Sequence, residues 1–376
     1  AILAEGIPQP LRPRCLGGRL LQVGVCGAMG WFDSVKNAVQ DAAIDTVGFA
    51  ASTGGACLGT AGSAIAGGAL TLADIVTLGK VDSIGDMRDE QFEAVVDGMG
   101  DIKAGMAAFT SKTEWYRTDP PAGHLADWMA ALPDDVPVTD IFIPGTHDSL
   151  ATSGGDLAEC QSWDLAQQLH AGLRVFDIRP KHDNDDLPIF HGIIRMPTDF
   201  DSCAQILEDF VTKHPTEAVF IRVKREGEAG AHECDFDKAA TSRMKTCEVW
   251  HRACPRWKNL SEYRGKITCL AQCSHLRLYR HPIDCQDVYN TGDENEKFAK
   301  IVEHAQKPRE EGTMYISFCS AVGQDGRVCF KAPGAVAYDV NKMVMEGLGS
   351  FNPGIYLFDF PGNSLVQAVI DRNPKK

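Results

Sequence analysis

Short apolar runs rich in β-branched and aromatic residues recur along the C-terminal two thirds of the chain, separated by amphipathic stretches. The runs are Asp140–Ile143, Arg174–Arg179, Ile189–Ile193, Ala218–Lys224, Lys266–Gln272, Met314–Ala321 and Ile355–Phe360. Between them, Asp201–Lys213 and Val336–Glu346 carry apolar residues at helical spacing. This alternation predicts an α/β protein with a parallel sheet, and about seven or eight units suggest a closed or nearly closed (β/α)8 barrel of the TIM type.

The first third of the chain has a different character. Residues 1–28 are rich in Pro, Gly and Arg without periodicity, and their prolines oppose both a secretory signal and an amphipathic transit helix. Residues 29–118 carry helical apolar spacing with many Gly and Ala residues, until Asp119-Pro-Pro-Ala-Gly123 ends the pattern. We therefore expect a flexible extension over 1–28, a helical Gly/Ala-rich appendage over 29–118 and a barrel over 119–376.

Two features of the predicted appendage bear on membranes. Met29 to Ser34 matches the N-myristoylation pattern, which can act only if translation also starts at Met29, so a chance match is the simpler interpretation. Val47–Ala73 carries no charge and is long enough to cross a bilayer, but its Gly, Ser and Thr content is unfavourable for a spanning helix. A soluble or membrane-associated appendage is favoured over true insertion.

Composition and net charge limit which kinds of molecule the protein can bind. The chain is 44% hydrophobic and 23% charged, which is typical of a folded globular protein. Its formal net charge of −14 argues against nucleic acid, because neutralising phosphates requires clustered Lys and Arg. The same charge opposes strong attraction to anionic lipid. A lipid enzyme of this composition would dock on a membrane through apolar contacts or a local basic patch.

Thirteen cysteines are scattered without a compact framework, which is typical of reduced thiols. A cytoplasmic or peripheral membrane location is therefore favoured over secretion. Cysteines and histidines between Cys269 and Cys285 invite a zinc interpretation, but their spacing matches no common pair of ligand knuckles. The acidic run at Asp183–Asp186 lacks the Gly and distal Glu of a Ca²⁺ loop. We expect no metal and no cofactor.

The candidate chemistry lies at predicted strand ends. His147 and Asp148 follow one strand, Arg179 ends the next, and His191 lies in a third. In parallel barrels, catalytic groups gather at the carboxyl ends of the strands. Two imidazoles can remove one proton and deliver another, while a guanidinium holds a phosphate charge. This set suits cleavage of a phosphodiester by a neighbouring hydroxyl.

An ordered set of short motifs resembles the X-domain class of phosphatidylinositol-specific phospholipase C, in its metal-independent bacterial-type form. The motifs are Trp128-Met-Ala-Ala-Leu-Pro-Asp134, Ile143-Pro-Gly-Thr-His-Asp-Ser149, Gln168-Leu-His-Ala-Gly-Leu-Arg-Val-Phe-Asp-Ile-Arg179, Phe190-His-Gly192, Arg264-Gly-Lys-Ile267 and Ile355-Tyr-Leu-Phe-Asp359. The resemblance covers about residues 120 to 372. It implies a distorted barrel that cleaves phosphatidylinositol at a membrane surface to diacylglycerol and inositol 1,2-cyclic phosphate.

The resemblance also implies roles for individual residues. His147 would be the general base on the inositol 2-hydroxyl, with Asp359 orienting it and supporting its positive charge. His191 would be the general acid toward the glycerol oxygen. Arg179 would hold the phosphate, and Asp148 would align both the guanidinium and the leaving group. Metal-dependent relatives place an acidic ligand where Arg179 stands, so this chain should not need Ca²⁺.

Further residues resemble the substrate-binding set of the family. Lys224, Asp287 and Tyr289 would bind the inositol ring, although Tyr289 could equally pack the barrel rim. Asp177 lies on the same strand face as Arg179 and could support it, or it could have a purely structural role. Gln272 stands where bacterial relatives carry an inositol-binding arginine, so the headgroup is less firmly implied than the reaction.

Two other functions remain open from the sequence. The chain could be a phosphodiesterase for a different inositol lipid or for a soluble glycerophosphodiester. It could also be a catalytically silent lipid-binding module, although a binder gains nothing from a paired acid and base. The oligomeric state is not predicted.

Overall fold

The computed structural model describes residues 112–120, 123–155, 158–182, 186–226, 233–244, 247–251, 256–270, 282–324 and 330–375. The predicted extension, the Met29 pattern, the uncharged segment Val47–Ala73 and nearly all of the predicted appendage lie outside these residues. Gln272 and most of the acidic run at Asp183–Asp186 also lie outside them. The predictions made for these parts of the chain stay predictions.

Seven parallel strands form one curled sheet that supports the rest of the fold. In sheet order they are β6 (Lys266–Cys269), β5 (Ala218–Val223), β2 (Val175–Ile178), β1 (Phe142–Thr146), β11 (Gly354–Phe358), β8 (Met314–Phe318) and β7 (Ile283–Gln286). Every neighbouring pair is parallel. The central strands are buried along their length, as expected for a parallel sheet covered on both faces. The predicted α/β barrel architecture is confirmed as a half-barrel of TIM type.

Helices cover the outside of the sheet. Those of the described residues are α1 (Leu165–His170), α2 (Phe200–Lys213), α3 (Glu233–Met244), α4 (Glu294–Ala305), α5 (Pro333–Gly347) and α6 (Asn363–Ile370). Four single turns of 3₁₀ helix accompany them at Trp128–Ala131, Val138–Asp140, Leu260–Glu262 and Leu348–Ser350. The Asp199 carboxylate caps α2 by accepting from the Ser202 amide, which explains why that helix begins just before the predicted Asp201. None of these helices has the length and apolar character needed to cross a bilayer.

One predicted barrel strand belongs to a different element. The run predicted at Ile189–Ile193 forms β3 (Pro188–His191), which pairs antiparallel with β4 (Ile194–Asp199) in a two-stranded hairpin outside the main sheet. The seventh strand of the main sheet is instead β7. This strand was not predicted because Ile283–Gln286 is short and partly polar. A second small hairpin joins β9 (Gly323–Gln324) to β10 (Phe330–Lys331).

A buried ion pair fixes the amino-terminal end of β2. The fully buried Arg174 donates from Nε and Nη2 to Glu217 Oε2 at 2.9 and 2.8 Å, and its Nη1 and Nη2 also donate to the backbone carbonyls of Leu169 and Ala126. Glu217 also accepts from the Met129 amide at 3.1 Å. The pair ties the start of β5 to β2 and to the 3₁₀ turn near Trp128. Arg174 therefore stabilises the fold, although it belongs to the same sequence motif as the candidate catalytic residue Arg179.

The residues just before the predicted domain boundary contact the barrel. Tyr116 is buried against Phe360, and the Gly362 amide donates to the Trp115 carbonyl at 2.9 Å. A Cβ on Gly362 would lie 2.5 Å from the Glu114 carbonyl oxygen, so the two segments meet at a distance that only glycine permits. Residues 113–116 thus pack on the loop that follows β11. The boundary after residue 118 stays a prediction.

We expect Glu217→Gln to lower the free energy of unfolding by about 3–5 kcal/mol, because it leaves the Arg174 charge buried without its counter-ion. Asp134→Asn is the matched control, since Asp134 pairs with Arg264 at 2.8 Å but its side chain is 65% exposed. It should cost about 1 kcal/mol or less. Urea denaturation of both variants checks this. Equal losses would contradict a structural role for the buried pair.

Candidate active site

Three adjacent strands bring the candidate catalytic residues together. β1 leads into His147 and Asp148, β2 leads into Arg179, and β11 leads into Asp359. Since β2, β1 and β11 are neighbours in a parallel sheet, their carboxyl ends lie at one edge.

The end of β1 requires a glycine at Gly145, and the turn that follows the strand is locally strained. A Cβ on Gly145 would lie 2.5 Å from the Val175 carbonyl oxygen and 2.6 Å from the Leu357 side chain, so β1 can sit this close to its neighbours only with glycine. Asp148 adopts a φ of 38°, in the left-handed region that ordinary residues rarely occupy. Its amide donates to Asp177 Oδ2 at 3.2 Å, which holds this conformation. Strain of this kind is common at functional sites.

The hydrogen bonds of His147 define which ring nitrogen carries the proton. Its Nδ1 lies 2.8 Å from Asp359 Oδ1, and its Nε2 lies 2.8 Å from Arg179 Nη2. A guanidinium can only donate, so Nε2 must accept and the proton of the neutral ring must be on Nδ1. Nδ1 then donates to the Asp359 carboxylate. His147 is therefore held as a neutral base whose lone pair faces Arg179.

Arg179 is the centre of the charge network. Its Nε and Nη2 donate to Asp177 Oδ2 at 3.1 and 2.9 Å, and its Nη1 lies 3.1 Å from Asp148 Oδ2. The shared strand face predicted for Asp177 and Arg179 thus brings the two side chains into a direct ion pair.

His191 reaches the same group from the β3–β4 hairpin. Its Nδ1 donates to the Ala158 carbonyl at 2.7 Å, and its Nε2 lies 3.6 Å from Asp148 Oδ2. A continuous series of contacts thus runs from His147 through Arg179 and Asp148 to His191. All four of these side chains, together with Asp177 and Asp359, are buried or nearly so.

Burial and neighbouring charges shift several pKa values here. Burial, reinforced by Arg179, lowers the pKa of His147 well below 6.5. Burial alone would raise the pKa of Asp177, but Arg179 and Arg222 outweigh it and hold that carboxyl well below its usual range. Burial raises the pKa of Asp148, with Arg179 opposing. Burial and the nearby Asp148 raise the pKa of Asp359. Such shifts cluster at functional sites.

The candidate substrate-binding residues surround this centre less tightly. Lys224 follows β5 and is exposed, and the neighbouring Arg179 lowers its pKa. Asp287 follows β7 and lies 3.7 Å from Arg222 through Oδ2. Tyr289 follows β7 and is 46% exposed. These three residues are available to a ligand at the mouth of the site.

Arg222 is a functional candidate that sequence reasoning missed. Its Nη1 donates to Asp177 Oδ1 at 2.9 Å, and its guanidinium lies 4.9 Å from the centre of the Phe318 ring. It thereby joins the carboxylate behind Arg179 to Asp287. The available signal was its position two residues before Lys224, which places both on one strand face.

Lys297 is a second missed residue, and it acts on the segment after β7. This buried lysine of α4 donates to the Val288 carbonyl at 2.5 Å and to Gln286 Oε1 at 3.4 Å. Burial lowers its pKa to about 8. It therefore holds the short segment that carries Asp287 and Tyr289. A lysine in an amphipathic helix gives no sequence signal for this role.

Comparisons with known proteins agree with this geometry. Residues 135–239 match the family model described as phosphatidylinositol-specific phospholipase C, X domain. A Listeria monocytogenes 1-phosphatidylinositol phosphodiesterase is 27% identical over 279 residues, covering 65% of this chain and 84% of that protein. A mouse PI-PLC X domain-containing protein 2 is 29% identical over 130 residues, covering 26% of this chain and 38% of that protein.

Solved structures show the same fold. The Listeria monocytogenes phosphatidylinositol-specific phospholipase C aligns with a TM-score of 0.59 and 26% identity, covering 66% of this chain and 99% of that one. A Staphylococcus aureus phosphatidylinositol-specific phospholipase C aligns with a TM-score of 0.57 and 18% identity, covering 66% and 97%. The half-barrel, the family match over residues 135–239 and the bacterial relatives together support a phosphatidylinositol-specific phospholipase C-like enzyme.

The protonation pattern of His147 can be observed directly. Nitrogen NMR of the imidazoles should show His147 as the Nδ1–H form at neutral pH, with a titration midpoint below 6.5 because burial and Arg179 disfavour the cation. Arg179→Gln should move that midpoint upward. Signals are assigned by their loss in His147→Gln, and the exposed His170 is the reference ring. An Nε2–H form, or a midpoint unmoved by Arg179→Gln, would contradict the hydrogen-bond pattern.

Proposed function

We propose that this protein cleaves phosphatidylinositol, or a related inositol phospholipid, by attack of the inositol 2-hydroxyl on the phosphorus. The products would be diacylglycerol and inositol 1,2-cyclic phosphate. The family match over residues 135–239, the named activity of the Listeria relative and the shared fold support a phospholipase C-like enzyme acting on phosphatidylinositol. The observation that carries the finer proposal is the contact series from His147 through Arg179 and Asp148 to His191.

The first step would begin with the arrival of the phosphate at Arg179. In the free enzyme the guanidinium donates to His147 Nε2 at 2.8 Å, so the lone pair of Nε2 is not available to accept a proton from the substrate. A phosphate diester competes for the same donors, and charge-assisted hydrogen bonds to phosphate are strong. Arg179 then turns toward the phosphate and leaves Nε2 to accept the proton of the 2-hydroxyl. The hydroxyl oxygen attacks the phosphorus as that proton leaves.

Asp359 and His191 would complete the reaction. Once protonated, the His147 ring is an imidazolium, and Asp359 at 2.8 Å from Nδ1 stabilises it. On the opposite side of the phosphate, His191 donates a proton from Nε2 to the glycerol oxygen, so the P–O bond breaks and diacylglycerol leaves. Asp148, 3.6 Å from that nitrogen, stabilises the protonated ring before transfer.

Headgroup binding would use the residues at the mouth of the site. We assign the ring hydroxyls to Lys224 and Asp287, with the exposed Tyr289 ring as a stacking surface. Arg222 is placed to orient Asp287 and offers a guanidinium close to the headgroup. Arg179 supplies a fixed positive charge to the phosphate in this scheme.

The product and the histidines can be tested together by phosphorus NMR on phosphatidylinositol vesicles. We expect a cyclic phosphate signal, and His147→Ala or His191→Ala should slow its appearance by about 10²-fold or more, because each removes a proton-transfer group. The exposed His170→Ala is the matched control and should react at the wild-type rate. Vesicle binding should persist in all variants.

Other outcomes of that experiment are informative. An open monophosphate formed without any cyclic species would reject attack by the 2-hydroxyl. Faster cleavage of soluble glycerophosphoinositol than of vesicles would favour a soluble glycerophosphodiester as substrate. Vesicle binding without turnover by the wild type would favour a silent lipid-binding module.

Turnover should not require calcium. Arg179 already provides a cation at the phosphate, held by Asp177 and Asp148, so EDTA or EGTA should leave the rate within about twofold of the untreated rate. The assay adds calcium back after chelation as its control. A rate that disappears with chelator and returns with calcium would contradict the assignment of Arg179.

A further inference from the structure

A buried thiol that the proposed reaction does not use lies within the catalytic group. Cys160 is a free cysteine with no exposed surface. Its Sγ belongs to two sets of ligand atoms that lie within 4.8 Å of one another: one with His147 and Asp359, and one with Asp148 and His191. No other part of the described chain brings three such ligand types this close.

The segment that carries this thiol is tied to both histidines. The Ala158 carbonyl accepts from His191 Nδ1 at 2.7 Å, and Gln161 Nε2 donates to the His147 carbonyl at 2.6 Å. The Cys160 carbonyl also accepts from the Phe360 amide at 2.9 Å, beside Asp359. The thiol is therefore held in place from both sides.

Unsatisfied acceptors lie beside the thiol. Asp148 Oδ1 and Asp359 Oδ2 are buried and have no hydrogen-bond donor, although both side chains are 1% exposed or less. A buried carboxylate oxygen without a donor is costly unless a cation or a proton reaches it. Of these two residues, Asp148 belongs to the set with Cys160 and His191, and its unsatisfied oxygen points to a positively charged ligand independently of the cysteine.

We propose that Asp148, Cys160 and His191 form a binding site for a thiophilic divalent cation of the zinc class, and that its occupation inhibits the enzyme. The nitrogen and oxygen positions suit such an ion. His191 Nε2 and Asp148 Oδ2 are 3.6 Å apart, close to the separation of roughly 3.4 Å expected for two ligands around tetrahedral zinc with bonds of about 2.1 Å. The carbonyl that binds His191 Nδ1 fixes the tautomer that presents Nε2, as is usual for zinc-bound histidines.

The other set of ligand atoms is less suitable. Both nitrogens of His147 are already engaged, one by Asp359 and one by Arg179. Binding a cation through either ring nitrogen would break one of these two short hydrogen bonds. We therefore assign the cation to the set that contains His191, with a water or a substrate oxygen in the fourth position.

The chemistry of the thiol selects the kind of ion. Calcium and magnesium prefer oxygen ligands, whereas a thiolate with an imidazole and a carboxylate suits zinc, cobalt or cadmium. Burial raises the pKa of Cys160, so the thiol is protonated and poorly reactive toward oxidants, and metal binding must release its proton.

A titration with Co²⁺ tests the site without any substrate. The reduced full-length protein should develop a near-ultraviolet sulfur-to-metal band at the first equivalent, and zinc should displace it. Cys160→Ser should weaken this binding at least tenfold and remove the band. Cys203→Ser is the matched control, because Cys203 is also buried and free but lies on α2, and it should keep the band. Circular dichroism confirms that each variant is folded.

A second measurement follows inhibition, which rests on the proposed function. Zinc should inhibit wild-type turnover reversibly with EDTA, and Cys160→Ser should need at least tenfold more zinc relative to its own metal-free rate. An identical cobalt band and zinc sensitivity in Cys160→Ser would overturn the proposal. If wild type shows the band but never cleaves phosphatidylinositol, the cation site stands and the proposed function fails.

Discussion

The contact between Arg179 and His147 determines how the rest of the site is arranged. A guanidinium can only donate, so its bond to Nε2 fixes the His147 proton on Nδ1 and makes Asp359 the acceptor. The same guanidinium must be balanced, and Asp177 and Asp148 supply that charge at 2.9 and 3.1 Å. Asp148 in turn reaches His191. One side chain therefore positions the proposed base and, through Asp148, lies beside the proposed acid.

The amino ends of the strands carry structural contacts, and the carboxyl ends carry the candidate active site. Single sequence motifs contribute residues to both ends. At the amino ends, Arg174 and Glu217 form a buried pair, and Arg264 donates to the carbonyls of Met129 and Leu132. Arg174 and Glu217 join β2 to the start of β5 and are fully buried, so neither presents a charge to a ligand. At the carboxyl ends the charged groups face one another around a common centre. The six residues from Arg174 to Arg179 run from the structural end of the sheet to the end that carries the candidate active site.

Much of the fold and most of the site could be predicted from the sequence, because their signals are local. Apolar runs mark the strands, and polar residues at or just after the end of a run mark the carboxyl edge, which is how His147 and Arg179 were found. The role of Asp359 came from the family resemblance. The hairpin at His191 was misplaced because an antiparallel pair and a barrel strand have similar short apolar runs. Arg222, Lys297 and Cys160 depend on tertiary contacts between distant segments, and no local pattern distinguishes them from ordinary strand, helix or core residues.

The central claim is that two imidazoles and one guanidinium converge on a single phosphate. A crystal structure with bound inositol monophosphate tests it most directly. The account predicts phosphate oxygens within about 3.2 Å of the Arg179 guanidinium, with Nε2 of His147 and of His191 on opposite sides of the phosphorus. A phosphate bound away from Arg179, or both imidazoles on one side of it, would contradict the account.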